Sequence, residues 1–181
     1  MTLGERIRSI REEKGLSLRK LSEIAGISAS LLSQIETNKV DPSLSTLHKI
    51  AQGLGIPPLF LFLLDESLSN GAITRKNQRR SLILPETGIS YQIIHSDRQK
   101  KMGIYLGTFE PAGATAENLI AHPGEECLLV LDGNLTVKLG EAEHRLESGD
   151  SIYFDSSIPH RLVNTNGAPC KFYLIVTPPK Y

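Results

Sequence analysis

The chain has no hydrophobic run long enough to cross a bilayer. Its longest, Ile56 to Leu64, holds two prolines and stops at Asp65. That is about half of the roughly 20 residues a membrane span needs. A secretory pattern is missing at the front as well: MTLGERIRSIREEKG carries charge from residue 5 onward and no apolar core. Cysteine is scarce, with only Cys127 and Cys170 present. A chain without an export signal belongs in a reducing compartment, so both are expected as free packing thiols and the protein as cytoplasmic. Net charge is zero, 20 basic residues balancing 20 acidic ones. The second half also lacks helical patterns long enough for strand-helix-strand units, which disfavours a parallel sheet.

The zero charge averages over unlike parts. Residues 1–64 carry eight Lys/Arg against six Asp/Glu, residues 65–80 four against two, and residues 81–181 eight against twelve. A basic front and an acidic back suit a chain that offers one end to phosphates.

Residues 1–64 read as helices. Leu3, Ile7 and Ile10 share a face at helical spacing, and Gly15 stops that helix. LRKLSEIAG follows, opened by Ser17 as N-cap and closed by Gly26. Next comes SASLLSQIETNK, with Ser28 as N-cap and Leu31, Leu32 and Ile35 facing inward. Asp41-Pro42-Ser43 caps SLSTLHKIAQGLG, and Pro57-Pro58 opens a last short helix, LFLFLL. Five short helices with their own signals predict an all-α domain over 1–64. Residues 65–80, DESLSNGAITRKNQRR, show no sustained apolar period and contain the turn signal Asn70-Gly71. They are read as a linker ending in a basic cluster.

Two helices joined by a short turn at Gly26 make a helix-turn-helix. The first is expected to cross the phosphate backbone and the second to enter the major groove. Ser28, Ala29, Ser30, Ser33 and Gln34 give the second helix a small, polar outer face. Gln pairs bidentately with adenine, Ser donates or accepts, and the Ala methyl meets a thymine methyl. Ser17, Arg19, Lys20, Asn38, Lys39 and Thr46 flank the expected groove as phosphate contacts.

This segment, from Gly4 to Gly55, resembles the XRE type of phage-repressor helix-turn-helix. The resemblance implies a structural ion pair between Arg11 and Glu36. It also implies that Ala29, Ser30 and Gln34 occupy base-reading positions. Leu18 departs from the polar residue that phage repressors often place there, so one expected contact has no polar group to make it.

From residue 81 the apolar period changes to two. SLILP, YQIIH, GIYLGTFE, ECLLVLDG, NLTVKLG, EHRLESGD, SIYF, HRLVN and KFYLIVTP are strand-like runs separated by Gly, Asp and Asn turns. Such spacing predicts an all-β sandwich or double-sheet barrel over 81–181. His122, Glu126 and His160 form a plausible metal set by donor type. Glu125 is expected to point away from Glu126, since strand neighbours alternate. His95 and His144 read as ordinary strand or surface residues.

His122, Glu126 and Gly133, then Gly149, His160 and Asn164, resemble the two motifs of a cupin, a double-stranded β-helix or jelly-roll barrel. Ile120 stands where that family's first histidine falls, and Asp155 and Ser157 replace its Pro and Gly. The resemblance therefore implies three candidate ligands, not four. A ligand pocket lined by Tyr105, Ile120, His122, Glu126 and His160 suits a small polar molecule with amine or carboxylate groups. No cofactor is required, and a divalent metal is the one candidate.

Together the motifs resemble the XRE–cupin two-domain regulators. The resemblance implies a transcription regulator without catalytic residues, whose partners are an operator in double-stranded DNA, a small polar effector and a second subunit, in a homodimer or a tetramer. Two-fold pairing would set two reading helices about 34 Å apart on a roughly palindromic operator. Two alternatives stay open: a metal-dependent cupin enzyme carrying a DNA-binding domain, and a protein-interaction module such as an antitoxin.

Overall fold

Ser17, Ser28 and Ser43 each turn a hydroxyl onto the backbone N–H three residues ahead, at 3.1, 3.1 and 3.2 Å. Each satisfies one of the open donors at a helix start, typically worth about 1 kcal/mol. In the computed structural model they begin α2 (Leu18–Ile24), α3 (Ala29–Glu36) and α4 (Leu44–Leu54). Thr2 and Glu5 close a reciprocal capping box at the start of α1 (Leu3–Glu13). A short α5 (Leu59–Phe62) ends the series. The structure describes residues 2–56, 58–62, 72–96 and 100–179, and the chain divides into two compact units, Met1–Asp65 and Glu66–Tyr181. Every described element of the first unit is α-helix.

Ile7, Ile10, Leu21, Leu32, Ile35, Ile50 and Phe60 are buried in the helical core. Leu31 was expected to join them and is only half-buried. On α3 the buried stripe runs through Leu32, Ile35 and Glu36, and Leu31 sits at its edge. Gly4 allows α1 to meet the end of α3, because a Cβ there would overlap the Ile35 carbonyl. Asn38 seals this contact by accepting from the Gly4 N–H at 3.3 Å.

Among the described residues the second unit holds nine strands: β1 (Arg80–Leu84), β2 (Ile89–His95), β3 (Gly103–Phe109), β4 (Glu125–Asp132), β5 (Leu135–Leu139), β6 (Ala142–Leu146), β7 (Ser151–Asp155), β8 (His160–Val163) and β9 (Cys170–Thr177). Each overlaps one alternating run of the sequence. Six form a sheet in the order β1-β2-β3-β9-β4-β7, and three form another, β6-β5-β8. All the pairings are antiparallel. Tyr105, Leu128, Phe172 and Leu174 fill the core between the sheets, with Phe109 stacked on Phe172 at 5.1 Å. Cys170 is buried and Cys127 half-buried, both as free thiols.

The linker's first part, residues 65–71 with the Asn70-Gly71 signal, lies outside the described residues, as do Pro57, Leu63 and Leu64. The basic cluster is described. Lys76–Gln78 form a 3-10 turn, and Arg80 already begins β1.

Candidate functional site

Gly26 turns the chain between α2 and α3 at φ +61. A residue with a Cβ would be strained there by roughly 1–2 kcal/mol. Leu21 and Ala25 on one side of the turn, Leu32 and Ile35 on the other, are buried. That packing fixes α3 by one face and leaves Ala29, Ser30 and Gln34 exposed on the other, with Ser33 half-buried beside them.

Below α3 lies the ion pair that the resemblance implied. Arg11 Nε and Nη2 donate to the two oxygens of Glu36 at 2.7 and 2.8 Å, and Nη1 donates to the Leu16 carbonyl at 2.8 Å. Both side chains are under a tenth exposed. The hydrogen bond to Glu36 holds the guanidinium above its ordinary pKa, against the effect of burial. This pair joins α1 to α3 and does not face outward.

The flanking polar residues divide into two groups. Arg19 and Lys39 are exposed, and exposed Lys20 lies 3.5 Å from Glu23. The hydroxyls of Ser17, Ser28 and Thr46, and the amide oxygen of Asn38, already serve the helical unit itself. Ser17 and Ser28 cap helices, Thr46 bonds Ser43 at 2.9 Å, and Asn38 holds Gly4.

In the β unit, residues 120–124 run antiparallel beside 156–160. Ile120 and His160 exchange backbone hydrogen bonds of 2.9 and 2.8 Å, and the His122 N–H donates to the Ser156 carbonyl at 2.9 Å. Gly124 at φ +111 then turns the chain into β4, and a Cβ there would overlap the Thr177 carbonyl. The result brings His122, Glu126 and His160 together, all buried. His122 Nε2 lies 3.1 Å and His160 Nε2 3.8 Å from the same carboxylate oxygen, Glu126 Oε1. The two imidazole rings stand edge to face at 5.0 Å. Glu125 is exposed on the opposite face, as strand alternation requires.

His160 Nδ1 lies 2.9 Å from the Ile158 carbonyl. A carbonyl only accepts, so Nδ1 carries the proton, and in the neutral ring Nε2 keeps a lone pair turned toward Glu126. Burial, first, and the neighbouring His122 lower the His160 pKa, while Glu126 and the Ile158 bond oppose them. This is the tautomer a metal-ligating histidine adopts, its other nitrogen donating to the backbone. The ligand atoms of all three residues lie within 4.8 Å of one another. Two imidazoles and a carboxylate in that arrangement fit a divalent transition metal with open positions. Ile120, buried and paired with His160 across the bridge, makes the fourth side apolar.

Asp155 and Ser157, which replace the family's Pro and Gly, close their turn by another route. Asp155 Oδ1 accepts from the Ser157 N–H at 2.8 Å, and hydrogen bonding to Ser157 lowers the Asp155 pKa. Asn164 is fully buried but serves the backbone, donating to the carbonyls of Glu110 and Ala168 and accepting from Asn166.

Tyr105 shares the inner sheet face but bonds Ser96 at 3.1 Å, its pKa pushed up by burial to about 12. Tyr91 was missed in the sequence. It is buried, and its pKa is raised by burial and then by the charge of Glu126. The alternation of YQIIH, which puts Tyr91 and Ile93 on one inward face, was the signal available.

Known proteins carry the same two parts. The helix-turn-helix family pattern matches residues 7–61 and the cupin domain pattern matches residues 105–176. The HTH-type transcriptional regulator PuuR of Escherichia coli is 30% identical over 176 residues, spanning 97% of this chain and 94% of that protein. The immunity repressor protein of Bacillus phage phi105 is 48% identical over 56 residues, 31% of this chain and 39% of that repressor. A crystal structure of an HTH_3 family transcriptional regulator from Vibrio cholerae shares the fold, with a TM-score of 0.62 at 24% identity, over 97% of this chain and 94% of that one.

Proposed function

The chain belongs to the XRE-type helix-turn-helix transcriptional regulators with a C-terminal cupin domain, and we propose that it works as a cytoplasmic, effector-responsive dimer that reads one operator. Residues 1–64 read DNA, residues 65–80 connect, and residues 81–181 sense the effector and pair the subunits. One observation carries the DNA-reading part. α3 is pinned by Leu32, Ile35 and Glu36 and leaves Ala29, Ser30 and Gln34 exposed at its first turns. Small and polar groups there suit base edges. Arg19, Lys20 and Lys39 supply charge for phosphates.

The sensing part is supported by the buried His122, Glu126 and His160. A buried carboxylate facing a neutral imidazole is poised for a polar or cationic guest. In this reading the guest is a small polar effector, with Ile120, Tyr105 and Tyr91 as further wall residues. A ligand shifts DNA affinity only by its differential affinity for the DNA-competent arrangement. The convergent donors favour one second reading, a resident divalent metal held by the same three side chains. Such a metal would supply Lewis acidity and an anchor for the guest.

The test begins with operator selection from a random DNA pool using purified full-length protein. A reporter behind the selected operator is then challenged with small amines, small carboxylates and divalent metal salts. His122→Ala combined with His160→Ala should abolish the response and leave DNA affinity intact. A double variant that still responds normally places the sensor elsewhere.

A further inference from the structure

The outward face of the small sheet carries a cavity of about 360 Å³, a volume within the range of small-molecule sites. Its polar walls come from Glu117, Asn118, Lys138, Glu141, Glu143 and Arg161. The sheet register explains the grouping. Glu143 of β6 lies opposite Lys138 of β5, and Lys138 lies opposite Arg161 of β8, so three charges cross the sheet in one row. Residues 117–119 lie next to β8 because Ile120 bridges His160.

This cavity is separate from the cluster of His122, Glu126 and His160. Strand alternation sends neighbouring residues to opposite faces, so His160 is buried inside and Arg161 lines the cavity outside. Leu119 and Ile120 divide in the same way. Leu119 lines the cavity, and Ile120 is buried beside His160.

Arg161 is the unsatisfied member. Its Nε is buried and meets no acceptor among the described residues. Lys138, by contrast, has Glu143 at 3.5 Å. An unmatched buried donor is rare in a native fold and marks a place where an acceptor from outside the chain fits. A guanidinium beside an ammonium group calls for a carboxylate. A bare anion is opposed here, because three glutamates outnumber the two cations in the walls. A positive end facing Glu141 and Glu143 removes that opposition. Two strand spacings, about 10 Å, separate β6 from β8, so the two charges of such a guest stand several ångströms apart.

We infer that this cavity binds a small dipolar molecule with a carboxylate and an amine at the two ends of a short chain. The carboxylate takes Arg161 and Lys138, and the amine faces Glu141 and Glu143. The site is independent of the effector site proposed above, and either can fail without the other.

The probe is ε-aminocaproate, titrated into isotope-labelled full-length protein and followed by backbone amide shifts. Caproate and hexylamine, with one charge each, are the controls. Saturable shifts are expected at Gly140, Ala142 and Arg161 with ε-aminocaproate. Each control should bind at least about tenfold more weakly, since it loses one charge-assisted contact. Arg161→Gln should weaken ε-aminocaproate by a similar factor, and Arg161→Lys should recover part of the loss. Ala142 is exposed and lines the cavity, so Ala142→Phe should block it. That variant keeps the test decisive if Arg161 proves necessary for folding. No saturable shift with ε-aminocaproate overturns the inference, as do single-charge controls that bind equally well. Folded Arg161→Gln or Ala142→Phe protein with undiminished binding also overturns it. Shifts centred on His122 and Glu126 instead would put the guest in the inner site and sink the outer one.

Discussion

Glu36 in the helical unit and Glu126 in the β unit are the same residue type at nearly the same burial, 5% and 3% exposed. Their surroundings differ in one respect. Glu36 receives two N–H groups from a permanent cation, at 2.7 and 2.8 Å. Glu126 faces two imidazoles, neither a permanent cation, at 3.1 and 3.8 Å. The first carboxylate is closed within the chain and acts as a fastener. The second is left open and can act as a receptor. Burial alone separates nothing here; the completeness of the counter-charge does.

The largest effect should come from breaking the closed pair. Glu36→Gln strands the Arg11 guanidinium and should cost about 3–5 kcal/mol of stability in chemical unfolding. A loss below about 1 kcal/mol would mean that Arg11 re-pairs easily and that the two sites are not so different. Next in size is Gln34→Ala, on the outward face of the helix that Glu36 fastens. It should weaken binding to the selected operator by about 1–3 kcal/mol while leaving affinity for random DNA unchanged, as titration by fluorescence anisotropy would read. Uniform loss on every sequence would remove Gln34 from base reading.

Smaller still is Glu126→Gln. It keeps the shape of a group that faces two imidazoles and no permanent cation, so the melting temperature should hold within a few degrees or rise. Calorimetry showing it as damaging as Glu36→Gln would erase the comparison. The smallest effect is a pH slope in chelator-treated protein. His160 is held below the ordinary histidine value. As pH falls, the unfolded chain therefore takes up that proton first. The stability tied to this group is complete above about pH 6.5 and drains as pH drops toward the folded value. His160→Asn should flatten that part of the curve, and an unchanged slope would assign it to other groups.

Much of the fold was legible. The caps at Ser17, Ser28 and Ser43, the Gly26 turn and nine period-two runs depend on local rules, and each corresponds to an element boundary or a strand. His122, Glu126 and His160 were legible as donor types, and the structure brings them together. Other parts were not. Tyr105 and Tyr91 look equivalent along the chain, but one is bonded to Ser96 and the other feels Glu126. Asn38 and Thr46 look like free polar groups until Gly4 and Ser43 are seen beside them. Leu31 belongs to an apolar run yet sits at the edge of the buried stripe.

By itself the amino-acid sequence determined the two-part organisation, the type of each element, and which residues could read bases or bind a cation. These follow from periodicity, capping and side-chain chemistry, all of which act within a few residues. Only the tertiary structure decided which carboxylate is closed by Arg11 and which stands open between two histidines. It also decided which tyrosine bonds Ser96. Those outcomes depend on contacts between residues far apart in sequence, where pairing register and packing set distance, and distance sets the electrostatic result.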